Sequence, residues 1–462
     1  MGMGQKFGVL AGAAIAATAA SAQPAGQKVT GPVAVYWMSA ATQGGMGMGG
    51  MGGGAGGPGG GGRPSMSQLM GMMNGGGAAQ HSLTLQLGSS QKPSAAPTAE
   101  HLPPQGLAAG PSLPLLTPEA PPPAARGPEQ PEKPEIPREY QKPRGRMLIF
   151  WGCGEHAKPG QPIVLDFAEM AAGKVPPNMA MLAKGLDMRR MQPPSASRYA
   201  TYGEWPNAQS RTTVPPEGSL VGSHTVRGDY SPEIKFSLTQ AQDFLGALTL
   251  TTNAKTPSGS SQLAWAPVSG AQAYAATVIG ASGGAGGRGR GGGDGGDSTV
   301  VLWSSSEVQA AAFALPDYIS PGDLNRGVEN HILMGAQTTS CTVPKEVVDA
   351  SPQGFLQMVA YGGEANFVYP PRPTDPKIAW NRQWEVKVRY RSATGGLLGM
   401  TMPGMGGGGR GGPPPRGGSP RGGYPGGGGG DQAQAPPPQT PAEAAAARRK
   451  AILQGIGSLI PH

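Results

Sequence analysis

Glycine and proline in this chain are gathered into a few stretches, and that gathering limits where a folded core can form. Residues 44–62 are nearly all glycine, with Met46, Met48 and Met51 interspersed. Residues 92–145 are proline-rich with balanced charge, 281–297 are glycine-rich, and 401–440 are glycine, proline and arginine. The chain holds 79 glycines and 50 prolines in 462 residues, within the range of low-complexity sequences. Such stretches cannot bury enough apolar surface to offset the entropy of ordering their backbone. They are expected to be disordered arms and loops, leaving 146–280 and 298–400 as the folded body, long enough for two ordinary domains.

Between these stretches the apolar pattern is that of β structure. Val33-Ala-Val-Tyr-Trp-Met38 is rich in β-formers, and His81-Ser-Leu-Thr-Leu-Gln-Leu87 alternates with Leu83, Leu85 and Leu87 on one face. The two read as a hairpin whose connection, 39–80, has swollen into a disordered Met- and Gly-rich insertion. Loop closure costs grow only logarithmically with length, so the insertion is tolerable. Met147-Leu-Ile-Phe-Trp151 and Ile163-Val-Leu-Asp-Phe167 are short apolar runs of the kind found in buried strands. Trp384-Glu-Val-Lys-Val-Arg-Tyr-Arg391 alternates cleanly, predicting Trp384, Val386, Val388 and Tyr390 inward and the charges outward. Residues 178–190 could form a helix, and Ser320-Pro321 predicts a helix start with serine as cap and proline in the first turn. Many short strands with frequent turn residues predict an all-β fold, mainly antiparallel β-sandwich units with minor helices.

Leu263-Ala-Trp265-Ala-Pro267-Val268-Ser-Gly270-Ala271-Gln-Ala-Tyr274-Ala-Ala-Thr-Val278 resembles the B-to-C strand region of a fibronectin type III or related immunoglobulin-like module. The resemblance implies that Trp265 and Tyr274 pack between two sheets, and that the module has a binding or spacer role. It covers 263–279 only, and the pattern lapses after it. The whole chain also resembles secreted bacterial proteins, a resemblance that carries no activity with it.

The N-terminus predicts export. Lys6 precedes a run of small apolar residues from Phe7 to Ala20, and Ala20-Ser21-Ala22 suits signal peptidase, with cleavage between Ala22 and Gln23. The run is about 14 residues, short of the roughly 20 that span a bilayer. The chain then divides into a signal peptide over 1–22, N-terminal strands over 23–91, a disordered linker over 92–145, and a β-rich domain over 146–255. A fibronectin-like sandwich with a Gly-rich insertion at 281–297 follows over 256–400, then a disordered tail over 401–440 and a short amphipathic helix over 441–462. No transmembrane helix is expected in the mature chain. The net charge of +8 lies in the arms: the body over 146–280 and 298–400 carries 19 basic and 18 acidic residues, while 401–462 alone carries 6 basic and 2 acidic. The charge therefore does not describe a basic groove on a folded domain.

Chemistry-bearing clusters are few. Cys153 and Cys341 are the two cysteines, and an oxidising compartment would favour a disulfide, to which chain entropy assigns roughly 5 kcal/mol. Two unpaired thiols are the alternative. Trp151-Gly-Cys153-Gly-Glu155-His156 is the densest reactive cluster. Cys153 and His156 could share a metal and Glu155 could act as a base, but no second ligand pair follows at zinc spacing. Met46, Met48, Met51, Met66, Met70, Met72 and Met73 suit copper(I) by softness, without a histidine or cysteine among them. Arg410-Gly-Gly, Arg416-Gly-Gly and Arg421-Gly-Gly-Tyr424 resemble the arginine-glycine boxes of RNA-binding proteins. On an exported chain they fit an anionic envelope polymer better. Ile452, Leu453, Ile456, Leu459 and Ile460 form one stripe beside Arg448, Arg449 and Lys450, suited to a membrane surface or a partner. No catalytic motif and no cofactor fingerprint is found. The expectation is an exported, non-catalytic structural or binding protein of the bacterial cell envelope, periplasmic or at the cell surface, whose partner is an envelope protein or an anionic polymer. A metal handler or enzyme centred on Cys153 and His156 is the alternative, and nucleic-acid or anionic-polymer binding through the tail is a second.

Overall fold

Alternating apolar residues lay down the strands from which the rest is built. The computed structural model describes residues 30–44, 79–118, 145–174, 188, 191–210, 212–282, 299–375 and 377–400. The signal peptide with Ala22 and Gln23, the methionine cluster, the arginine-glycine tail and the C-terminal helix lie outside the described residues, as does the glycine insertion expected at 281–297 apart from Ala281 and Ser282, which belong to the strand Ala271–Ser282. So does all of the expected helix over 178–190 except Met188.

The first strands are β1 (Ala34–Gln43) and β2 (Gln80–Ser89), antiparallel over their whole lengths, then β3 (Ala99–Leu102) and β4 (Leu113–Pro114). Next come β5 (Arg146–Trp151), β6 (Ile163–Asp166) and the short helix α1 (Phe167–Ala171), capped by the Asp166 carboxylate. β7 (Thr201–Trp205), β8 (Gly222–Gly228), β9 (Ile234–Leu238), β10 (Leu250–Lys255), β11 (Ser261–Trp265), β12 (Ala271–Ser282) and β13 (Thr299–Ser304) follow. Helix α2 (Pro321–Glu329) starts as the sequence predicts, with the Ser320 hydroxyl accepting from the Asp323 amide. The chain continues through β14 (Met334–Gly335), β15 (Ser340–Val343), α3 (Lys345–Ala350), β16 (Phe355–Tyr369) and β17 (Trp384–Leu397).

Ten strands form one sheet in the order β6-β5-β13-β12-β16-β17-β1-β2-β7, with β14 added beside β12. Pairing is antiparallel except where β1 joins β17 and β13 joins β5. Two smaller sheets, β10-β11-β15 and β4-β3-β8-β9, share one hydrophobic core with it. Tyr36, Met38, Leu85, Leu87, Val386 and Val388 of the large sheet pack there with Val226, Phe236, Leu263, Trp265 and Val343. Each apolar side chain so buried contributes about 1.5–3 kcal/mol, which explains the strict alternation along β2 and β17. Among the described residues no helix is long and apolar enough to cross a membrane.

Three expectations are corrected. The insertion does not begin at 39 or end at 80, because β1 runs to Gln43 and β2 starts at Gln80, each residue paired. Residues 92–118 are not a disordered linker: β3 and β4 lie in the four-stranded sheet, and Leu107, Leu113 and Leu115 are buried. The prolines there fall between the apolar positions, and Pro114 sits on an edge strand where its missing N–H is harmless. The expected boundary near 255 falls inside the β10–β11 hairpin, and the large sheet takes strands from both sides of it.

The large sheet's second face is covered too. Residues 310–333 lie over β12, where Ala310, Ala312, Ile319, Leu324 and Leu333 pack with Ala273, Ala275 and Tyr361. Residues 191–200 lie over β2: Gly88 has no side chain where a Cβ would stand 2.5 Å from the Tyr199 ring, and Gln86 donates to the Pro194 carbonyl and the Tyr202 hydroxyl.

Candidate functional site

The Trp151–His156 turn leaves β5 with its polar groups already engaged. Cys153 and Cys341 are joined by a disulfide, with Cα atoms 5.3 Å apart, tying the end of β5 to β15. The Gly154 amide donates to the Thr342 carbonyl at 2.8 Å, and the Cys153 amide donates to Glu307 Oε1 at 3.1 Å. His156 Nδ1 lies 3.0 Å from Glu346 Oε1, whose other oxygen accepts from the Ala157 amide at 2.8 Å. Burial raises the Glu346 pKa, but the Ala157 amide and His156 outweigh it and hold the carboxyl below its usual range. Glu155 supplies its backbone carbonyl to the Lys345 amide at 2.9 Å. Cys153 is thus tied to Cys341 and His156 to Glu346, while the Glu155 side chain is exposed. Among the described residues no group of three His, Cys, Asp or Glu side chains could hold a metal ion.

A second polar group lies between the large sheet and the four-stranded one. The Tyr36 hydroxyl is 2.7 Å from His101 Nδ1, His101 Nε2 is 3.1 Å from His224 Nδ1, and His224 Nε2 is 2.7 Å from the Leu220 carbonyl. A carbonyl can only accept, so His224 carries its proton on Nε2. With both rings neutral, His224 Nδ1 then accepts from His101 Nε2, and His101 Nδ1 accepts from Tyr36. Burial pushes the pKa of His101 well down, with His224 adding to it, and burial lowers His224 against the opposing Leu220 carbonyl. Burial likewise raises Tyr36, with Tyr230 adding to it. The chain is fully hydrogen-bonded and uncharged, sealed from any substrate.

The third group stands on the outer face of the large sheet, where the sequence predicts exposed charges. That expectation is corrected, since Arg389 is only 9 % exposed. Along β17 the cations alternate with rings: Lys387 Nζ is 5.6 Å and the Arg389 guanidinium carbon 4.8 Å from the Trp37 centroid. Tyr318 lies 4.3 Å from the Arg389 guanidinium carbon, with Arg391 5.2 Å from the same ring. Lys387 pairs with Glu364 and reaches Asn366 Oδ1 at 3.0 Å. Arg391 pairs with Asp317 at 2.6 Å. Burial lowers the Arg389 pKa, the direction expected for a desolvated cation, although Tyr318, Glu364 and Asp317 oppose it. Register explains the stack: β1 places Trp37 opposite Lys387 and Ser39 opposite Arg389. The alternation of 387, 389 and 391 put these cations on one face, but nothing in the sequence placed Trp37 and Tyr318 among them.

Trp265 and Tyr274, on which the fibronectin resemblance rests, meet at 5.6 Å between centroids, and the Tyr274 hydroxyl accepts from the Val268 amide at 2.9 Å. His81 stacks on Phe244 at 4.0 Å, and His331 takes a positive φ of 57° after α2. Comparison with protein-family models, with curated proteins and with solved structures gives no match in any of the three.

Proposed function

We propose that this chain is an exported, non-catalytic protein of the cell envelope that works by binding or scaffolding. One observation carries the reading. Both cysteines are joined to each other, the His156 ring turns to Glu346, and Glu155 is an exposed residue that engages Lys345 through its backbone carbonyl. A nucleophile or metal site needs convergent groups around one reacting centre, and the densest reactive motif in the sequence is instead a brace between β5 and β15. A disulfide of this kind suits an oxidising compartment, which agrees with the export signal read at 1–22. The fibronectin-like segment at 263–279 supports a binding or spacer role by resemblance.

Intact mass of protein recovered from the envelope fraction under non-reducing conditions should be two protons below the reduced value. The mature chain should begin at Gln23, and peptides holding Cys153 and Cys341 should be linked. His156→Ala should leave metal content unchanged and lower stability by at most about 1 kcal/mol, because its pair with Glu346 is solvent-exposed. Rapid alkylation of Cys153 near neutral pH, or bound metal that His156→Ala removes, would replace this reading with an active or metal centre at the turn.

A further inference from the structure

One guanidinium on the outer face of the large sheet lacks the counter-ion its neighbours have. Lys387, Arg389 and Arg391 occupy alternate positions of β17, about 7 Å apart along the strand. Lys387 has Glu364 and Arg391 has Asp317. Arg389 has no ion pair with any described residue, and its one hydrogen bond is from Nε to the Ser39 hydroxyl at 2.7 Å. The group as a whole sets three cations against two carboxylates. A buried charge is retained at substantial cost unless something neutralises it.

The geometry says how an anion would enter. Trp37 and Tyr318 both lie within cation–π distance of the Arg389 guanidinium, at 4.8 and 4.3 Å, and the N–H edge is the part of the group that can donate to an oxyanion. The sealed polar atoms here that lack a partner are Arg391 Nε and Glu364 Oε1. The unpaired Nη atoms of Arg389 are not sealed in this way and open to solvent through its exposed 9 %. Two parallel N–H groups on a planar edge match the two oxygens of a carboxylate. The surplus charge is one, so a singly charged oxyanion balances it. A phosphate dianion would overshoot beside Glu364.

We propose that Arg389 is the receptor for one carboxylate of a ligand from outside the chain, seated at the guanidinium edge beside Trp37 and Tyr318. The proposal deepens the binding reading above and rests on it. Its test does not touch the cysteines, so the two can fail separately.

The mature chain should be titrated with sodium acetate, with sodium chloride at equal ionic strength as the reference, while the arginine 15Nε–1Hε resonances are followed. One resonance should shift saturably with acetate and not with chloride. Read at the Trp37 indole N–H resonance, which both variants keep beside the site, Arg389→Lys, which keeps the charge and loses the planar fork, should weaken the acetate response about tenfold, and Arg389→Met should abolish it. A polygalacturonate arm separates the sources: tighter binding per carboxylate than acetate assigns an acidic polymer, and acetate alone assigns a small acid. Should Arg389→Met fail to fold, the unsubstituted chain decides by its response to acetate against chloride and inorganic phosphate. Equal responses to acetate and chloride, a tighter response to phosphate, or an acetate shift that survives in Arg389→Met would overturn the proposal.

Discussion

The hydrogen-bond chain from Tyr36 through His101 and His224 to Leu220 requires both imidazoles to stay neutral, and that requirement sets a pH dependence. A proton added to His224 Nδ1 would face the donor on His101 Nε2, and one on His101 Nδ1 would make the Tyr36 hydroxyl an acceptor and take away the acceptor its own proton uses. Around them stand Phe236 and Tyr230, and among the described residues no carboxylate acts on either ring. The folded-state pKa of each histidine lies below its ordinary value of about 6.5. The folded chain therefore binds fewer protons than the unfolded chain once the pH falls beneath about 6.5. Stability is undiminished above that pH and is lost below it, at up to about 1.4 kcal/mol per pH unit for each histidine. His81, half-buried against Phe244, shifts the same way and adds to the loss. Denaturant unfolding of the mature chain at several values between pH 7.5 and 5 should show this slope, and His101→Gln with His224→Gln should flatten it. A stability that does not change between pH 7.5 and 5 would contradict the neutral pair.

At the scale of elements, the segment over 99–118 makes the sharpest demand. Leu107 is wholly buried in a 3-10 turn, Leu113 lies in β4, and the Leu115 amide donates to the Ala99 carbonyl at 2.8 Å. Leu107→Ala should cost about 2–5 kcal/mol, read as a lower denaturant midpoint, and limited proteolysis of the native chain should spare 99–118. Early cleavage there would mean that the segment is not docked. Sequence reasoning missed these strands because they are four and two residues long within a stretch whose composition is dominated by proline. Where alternation runs longer it was legible. Leu83, Leu85 and Leu87 do face the core, as do Trp384, Val386, Val388 and Tyr390. Gly362 and Gly363 lie at a register shift that interrupts the pairing of β16 with β17 without ending the strand. Alternation tells which residues share a face and nothing about what covers that face. The burial of Arg389 and the meeting of His101 with His224, 123 positions apart, therefore had no signal in the sequence.

The large sheet determines how the molecule should behave as a whole. Its two parallel joins pair strands remote in the chain: β1 with β17, and β5 with β13. A fragment spanning 256–400, the extent of the fibronectin-like unit read from the sequence, would lack β1, β5 and β10. β17, β13 and β11 would each lose a hydrogen-bonded neighbour. It would also lose β3, β8 and β9, so Val386 and Val388 would no longer share a core with Val226 and Phe236, and Phe367 would lose its ring contact with Phe236. Cys341 would be left without Cys153. Unpaired edges and uncovered apolar faces of this kind favour association over folding. The fragment should therefore show no cooperative thermal transition and should aggregate. The chain from 30 to 400 should unfold in a single transition, with tryptophan fluorescence and far-UV circular dichroism coinciding. A sharp, reversible transition in the fragment, or two separated transitions in the longer chain, would show that the sheet is energetically divided near residue 255 despite its continuous hydrogen bonding.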